Sequence, residues 1–228
     1  MAKKQETKSA VENPEVVRET LMSAEDWIER NPKVIMAIVA VLVIAAGGFF
    51  GYRWWIDKQD KVAQEEMFQA VRYFEADSLD LAMNGTANIS GFKTITEEYG
   101  MTPAGNLANY YAGVICLKQG KFPLAEFYLK DFKSDDLLVQ ARAYSLLGDA
   151  YMEQNKFDEA AGAYHKASTY KPNKYFTPAY LLKEALAYEK LNQNDKAISA
   201  YDRIIKEFWD AQEVPTAKKL KARLETAS

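Results

Sequence analysis

A chain of 228 residues with 48% hydrophobic and 27% charged side chains has the composition of a folded protein, enough for one core and an anchor but not for several large domains. The formal charge of −3, with lysines scattered among acidic residues, argues against the concentrated basic face that neutralises phosphates, so no nucleic acid is expected as a partner. One cysteine, Cys116, and one histidine, His165, exclude an internal disulfide, a Cys- or His-rich metal cluster and an imidazole relay.

Residues 1–33 form the first segment. Met1 to Pro14 is polar, mixed in charge and poor in large apolar groups, so it has nothing with which to order itself. After it, Val17, Leu21, Ala24 and Ile28 recur at helical spacing beside Trp27, which predicts a short amphipathic helix. Two readings stand for that helix: a solvated, frayed tail, or an interfacial or partner-docking segment. Asn31-Pro32 ends it, because the residue before a proline is pushed out of the α region.

Residues 34–55 read VIMAIVAVLVIAAGGFFGYRWW, with no charge between Lys33 and Arg53. About 20 such residues span a ~30 Å hydrocarbon core, so a transmembrane helix is expected. Phe49, Phe50, Tyr52, Trp54 and Trp55 suit the headgroup level at its distal end. The stretch before the apolar run is too long for a secretory n-region, so the span is expected to be retained. Lys3, Lys4, Lys8, Arg18, Arg30 and Lys33 precede it against Arg53, Lys58 and Lys61 after it. That count favours a cytoplasmic N-terminus, and in a bacterial cell a periplasmic C-terminal domain. Gly47 and Gly51 make a G-x-x-x-G pair, a candidate for membrane helix packing.

Beyond the span, residues 56–105 predict a long helix from Asp57 to about Ala82 with Met67, Phe68, Val71 and Phe74 on one side. A turn at Asn84-Gly85 and a short helix from Ser90 to Glu98 then follow. Together they make a degenerate first hairpin. An internal repeat comes next. In residues 141–177, Tyr144, Leu147, Gly148, Tyr151, Ala160, Tyr164, Ala167 and Pro172 mark two helices, joined by a turn at Gln154-Asn155-Lys156. The small Gly148 and Ala160 let the helices touch, and Pro172 ends the second. Residues 178–215 repeat the plan with Leu181, Ala185, Tyr188, Ala197, Tyr201 and Ile204, but place Glu184 where a large apolar residue is usual. Residues 106–140 give a weaker copy with Gly113, Cys116, Gly120, Ala125, Leu129 and Phe132. Residues 216–228 predict a polar capping helix with Leu220 and Leu224 inward. Cys116 is expected in the core and His165 on the surface.

These units resemble the tetratricopeptide repeat family. The expected architecture is all-α: one N-terminal transmembrane helix followed by a tetratricopeptide-repeat α-solenoid with degenerate caps. The resemblance implies a concave protein-binding groove lined by the first helix of each hairpin, here Tyr110, Val114, Leu117, Ser145, Asp149, Met152, Leu182, Leu186 and Glu189. Such a groove is apolar and slightly acidic. It lacks, at these positions, the lysines and asparagines with which some members clamp a chaperone's C-terminal carboxylate.

The whole plan is a tail ending in WIERNPK, one anchor, a helix running from it, and a unit reading AGNLANYYAGVICLKQGKFPLAEFYL. It is similar to the YfgM-type ancillary subunits of the bacterial SecYEG translocon. That likeness implies an inner-membrane protein with a periplasmic repeat domain, partnered by the translocon, a PpiD-like chaperone and exported polypeptides. The competing reading is a cytoplasm-facing or cell-envelope adaptor or assembly scaffold. No P-loop, Rossmann glycine motif, nucleophile elbow or metal-ligand cluster occurs in the sequence, so neither catalysis nor a cofactor is expected.

Overall fold

The computed structural model describes residues 18, 22 and 27–227, and the chain divides into two compact units, Met1–Trp55 and Ile56–Ser228. Most of the amphipathic segment expected before the span lies outside the described residues. Of it, Trp27–Arg30 is helical and exposed. Asn31 interrupts the helix, and its side-chain amide donates to the Trp27 carbonyl at 2.8 Å. Pro32 then opens helix α1 (Pro32–Glu75), a position where its missing N–H costs nothing.

Within α1 an 18-residue window reaches a mean hydropathy of 2.6, and none of it is buried inside the protein. A helix this apolar and this exposed is long and greasy enough to cross a membrane, and it has no protein core to fill. A Cβ added at Gly47 or Gly51 would meet open space, so neither glycine serves a contact within the described chain.

In the second unit the long helix ends earlier than its periodicity suggests. α1 stops at Glu75, and Asp77 takes the left-handed conformation (φ 54°). The Ser78 N–H reaches back to the Tyr73 carbonyl at 2.8 Å, closing a helix C-terminus, and α2 (Leu79–Asn84) starts afresh. Strands β1 (Gly85–Thr86) and β2 (Ile89–Ser90) then pair antiparallel, Gly85 with Ser90 and Thr86 with Ile89, before α3 (Phe92–Tyr99). Met67, Val71 and Phe74 pack on the core of Phe92, Ile95, Ile115 and Cys116, as their spacing suggests. Phe68 does not: it stays exposed beneath the Arg72 guanidinium.

Helices α4 (Pro103–Lys118) and α5 (Phe122–Asp131), α6 (Val139–Glu153) and α7 (Phe157–Thr169), α8 (Thr177–Lys190) and α9 (Asn194–Glu207) form successive hairpins, each packed on the next. α4 begins before Asn106 because Thr102 caps it, its hydroxyl accepting the Gly105 N–H at 3.0 Å with Pro103 just inside. The three hairpin turns share one device. Gly120, Asn155 and Asn192 adopt φ of 70°, 56° and 56°. The following N–H groups of Lys121, Lys156 and Gln193 bond the carbonyls of Cys116, Tyr151 and Tyr188 at 2.8, 2.9 and 2.9 Å. Glycine and asparagine tolerate that conformation, which is why the turns were readable.

Between the helices of each hairpin, contact depends on small residues. A Cβ on Gly113 would lie 2.5 Å from Leu129 Cγ, and one on Gly148 2.5 Å from Tyr164 Cε1. Ala185 takes the equivalent place against the fully buried Tyr201. Each large side chain so buried contributes about 1.5–3 kcal/mol. Cys116 is fully buried, and burial pushes its thiol pKa up, consistent with a packing role. Helix α10 (Val214–Ala227) closes the array with Val214, Ala217 and Leu224 buried against α8 and α9.

Candidate protein-binding groove

The nine positions expected to line a groove fall on the first helices of the hairpins: Tyr110, Val114 and Leu117 on α4; Ser145, Asp149 and Met152 on α6; Leu182, Leu186 and Glu189 on α8. Their surroundings are unequal. Tyr110 and Leu117 are half-buried against Leu129, Phe132 and Ala143, and so serve the junction between hairpins. Burial raises the Tyr110 hydroxyl pKa, with Arg142 opposing it. Met152 packs with Tyr151 and Tyr164, and Leu182 with Leu181 and Tyr201. Ser145 is buried. Val114 is half-buried, and Leu186, 38% exposed, is the most open apolar residue of the set.

The acidic members are already paired. Asp149 accepts the Tyr164 hydroxyl at 2.6 Å from its own hairpin, and the Lys183 ammonium at 2.8 and 2.7 Å from the next. Lys183 also reaches the Ser145 hydroxyl at 3.4 Å. One hairpin later the pattern recurs: Glu189 accepts the Tyr201 hydroxyl at 2.6 Å and is ion-paired with Arg223 of α10. In both cases a core tyrosine of the second helix fixes a carboxylate of the first, and the following element supplies the cation. Burial, then the adjacent carboxylate, raises the pKa of Tyr164 and Tyr201 far above the ordinary tyrosine range, so both hydroxyls remain donors.

Lys183 and Arg223 are the residues that reading the sequence missed. Each lies 34 positions from its carboxylate. That separation is one repeat length, so shifting the acidic positions by one unit and looking for a neighbouring cation would have found them.

Glu184, odd for a repeat core, has its own explanation. It is buried, and one carboxylate oxygen accepts the Ser168 hydroxyl at 2.7 Å while the other lies 2.8 Å from His165 Nδ1. The three do not form a nucleophile and base, because Ser168 is buried and donates to the carboxylate rather than to the imidazole. They tie α7 to α8. His165 itself stays exposed, as expected.

The helical pairs, the left-handed turn residues and the glycine contacts make this stretch an array of two-helix repeats. Residues 125–175 and 145–212 match the tetratricopeptide repeat. The matches cover the last two hairpins and begin inside α5, so α4 lies outside them. No curated protein matches the chain. Tetratricopeptide repeats are protein-interaction modules, and no set of three or more His, Cys, Asp or Glu side chains able to hold a metal occurs among the described residues.

Proposed function

We propose that this chain is a membrane-anchored tetratricopeptide-repeat subunit of the bacterial protein-export machinery, similar to the YfgM-type partners of the SecYEG translocon. The N-terminal tail is cytoplasmic, α1 spans the inner membrane, and the repeats stand in the periplasm. A groove lined by Val114, Leu186 and their neighbours on the first helices takes emerging polypeptides or a PpiD-like chaperone. The observation that carries this reading is one chain holding both an exposed apolar helix and an array of interaction repeats. The mechanism is proximity. Tethering a binding surface beside the translocon exit raises its effective concentration for each emerging chain, so modest affinity suffices.

Photo-crosslinking amino acids at Val114 and Leu186 test the partners, since neither residue takes part in the polar pairs. Capture of a translocon component, an exported chain or a periplasmic chaperone is the expected outcome, and capture of none of them refutes the reading. A compartment-sensitive reporter fused after Ser228 tests topology. A cytoplasmic signal would replace this function with that of a cytoplasm-facing adaptor.

A further inference from the structure

Where α3, α4 and α5 meet, a cleft of about 420 Å³ is lined by Thr96 and Glu97, by Asn109, and by Phe127, Tyr128 and Asp131. The close approach of the three helices sets its depth. Gly105 and Gly113 lie one turn to either side of Asn109 on the same face of α4. A Cβ on the first would strike the Tyr99 carbonyl at the end of α3, and one on the second would lie 2.5 Å from Leu129 Cγ of α5. Between them Asn109 is drawn into the junction and left only 9% exposed.

Its side-chain amide forms no hydrogen bond within the described residues, and neither does the hydroxyl of Tyr128, which is 7% exposed. Neither group is sealed from solvent, so both polar ends open onto the cleft. Buried polar groups ordinarily bond within the protein; two at one cleft that open outward instead are placed for an incoming group.

The charges define that group. Glu97 and Asp131 have no lysine or arginine within ion-pair distance among the described residues, unlike Asp149 and Glu189. Burial, then Cys116 and the Glu97 carboxylate, raises the Tyr128 pKa, so the hydroxyl stays protonated beside a negative charge. Thr96 donates its proton to the Lys93 carbonyl at 2.7 Å, which leaves its oxygen to accept. Phe127 meets Tyr128 edge-on at 5.2 Å and is 58% exposed. Two carboxylates, neutral acceptors and an open aromatic ring repel an anion and suit a cation. A guanidinium fits them better than an ammonium, because it is planar, carries five donors and stacks on aromatic faces.

We propose that this cleft binds an arginine side chain presented by a partner protein, its guanidinium held by Glu97, Asp131 and the Asn109 amide oxygen and covered by Phe127. The cleft shares no residue with the first-helix groove, so a polypeptide without arginine reads the groove alone. The inference is independent of which machinery the repeats serve.

The full-length protein in detergent micelles is titrated with a fluorescein-labelled peptide carrying one arginine among glycine, serine and leucine, and with versions carrying citrulline or lysine in its place. Fluorescence anisotropy reads the affinity. Citrulline keeps the shape of arginine without its charge, so it is expected to bind about tenfold or more weakly, with lysine between the two. Glu97→Gln and Asp131→Asn, both at exposed positions, each weaken the arginine peptide several-fold, and Leu186→Ser in the groove leaves it unchanged. Asn109→Leu also weakens it; should that variant misfold by far-UV circular dichroism, the two carboxylate variants carry the test. No binding of the arginine peptide, equal binding of the citrulline peptide, or an arginine affinity untouched by both carboxylate variants overturns the proposal. A lysine peptide as tight as the arginine one overturns the guanidinium assignment. Loss of binding in Leu186→Ser places the peptide in the groove and overturns the cleft while leaving the groove intact.

Discussion

Replacing Gly148 by alanine adds one methyl group at the contact between α6 and α7, and the structure fixes the sign of the effect. The new Cβ would lie 2.5 Å from Tyr164 Cε1 and 2.6 Å from Cδ1, more than 1 Å inside normal carbon contact. The ring has no easy way out: Tyr164 is 3% exposed and its hydroxyl is held by Asp149, itself held by Lys183. Overpacking of this kind costs about 1–3 kcal/mol. Against it stands the gain of about 1 kcal/mol for alanine over glycine in a helix. Gly162, on α7 of the same hairpin, is exposed with nothing near its Cβ position, so Gly162→Ala keeps the propensity gain without the clash. The difference between the two variants therefore isolates the contact: Gly162→Ala raises stability by about 1 kcal/mol, and Gly148→Ala falls about 1–3 kcal/mol below it. Thermal unfolding of the full chain in detergent, followed by far-UV circular dichroism, reads this at about 2–4 °C per kcal/mol for a unit of this size. Two variants stabilised equally would refute the claim that Gly148 is required by helix contact. In a Tyr164→Phe background, where the ring is no longer tethered, the penalty at Gly148 is expected to shrink.

At the buried carboxylate, His165→Ala is expected to cost about 1–3 kcal/mol by taking a partner from Glu184. Glu184→Leu costs less, because it removes the charge as well and the freed Ser168 hydroxyl turns to the His165 carbonyl, 3.1 Å away; chemical denaturation of both variants checks the order. Glu126 gives an acid dependence. Partial burial alone would raise its pKa, but hydrogen bonds from Lys130, Lys156 and Gln154 outweigh that and hold it at about 2 rather than 4.5. Because the folded value is the lower one, this stabilisation is full above about pH 4.5 and is lost as pH falls toward about 2. With the lysine side chains 50% and 41% exposed, its size is about 1 kcal/mol, and Glu126→Gln is expected to flatten the wild-type loss of stability over that window.

What the sequence displays and what it hides follow from the range of the interactions. The span, the hairpins at Tyr144 and Leu181, and the turns at Asn155 and Asn192 are set by local periodicity and by residues that tolerate a left-handed backbone, so they can be read directly. The end of α1 was hidden because Asp77, not glycine or asparagine, takes the left-handed position, in a stretch whose apolar spacing continues on both sides. The β1–β2 pair is too short to show an alternating pattern. The positions expected to line a groove divide in the same way. The apolar ones follow from repeat register, whereas the cations matching Asp149 and Glu189 sit a full repeat away and show only when the helices are packed.

That pairing changes what the proposed groove can select. A basic ligand side chain seeking Asp149 must displace an ammonium already bonded to both carboxylate oxygens and compete with a tyrosine hydroxyl, so the carboxylate has little left to offer. The same holds at Glu189, between Tyr201 and Arg223. Binding in the groove would then depend on apolar contact at Leu186 and Val114 and on backbone bonds, a chemistry that accepts many extended sequences. It follows that the affinity of an unfolded exported polypeptide for the full chain should change little between low and high salt, because no exposed charge pair forms across the contact. Leu186→Ser should weaken binding several-fold, about 1 kcal/mol for the apolar surface lost, while leaving the unfolding temperature unchanged. Fluorescence anisotropy with a labelled polypeptide measures both. A steep salt dependence would show that Lys183 or Arg223 releases its carboxylate to the ligand, and the groove would have to be reassigned as a charge-reading site.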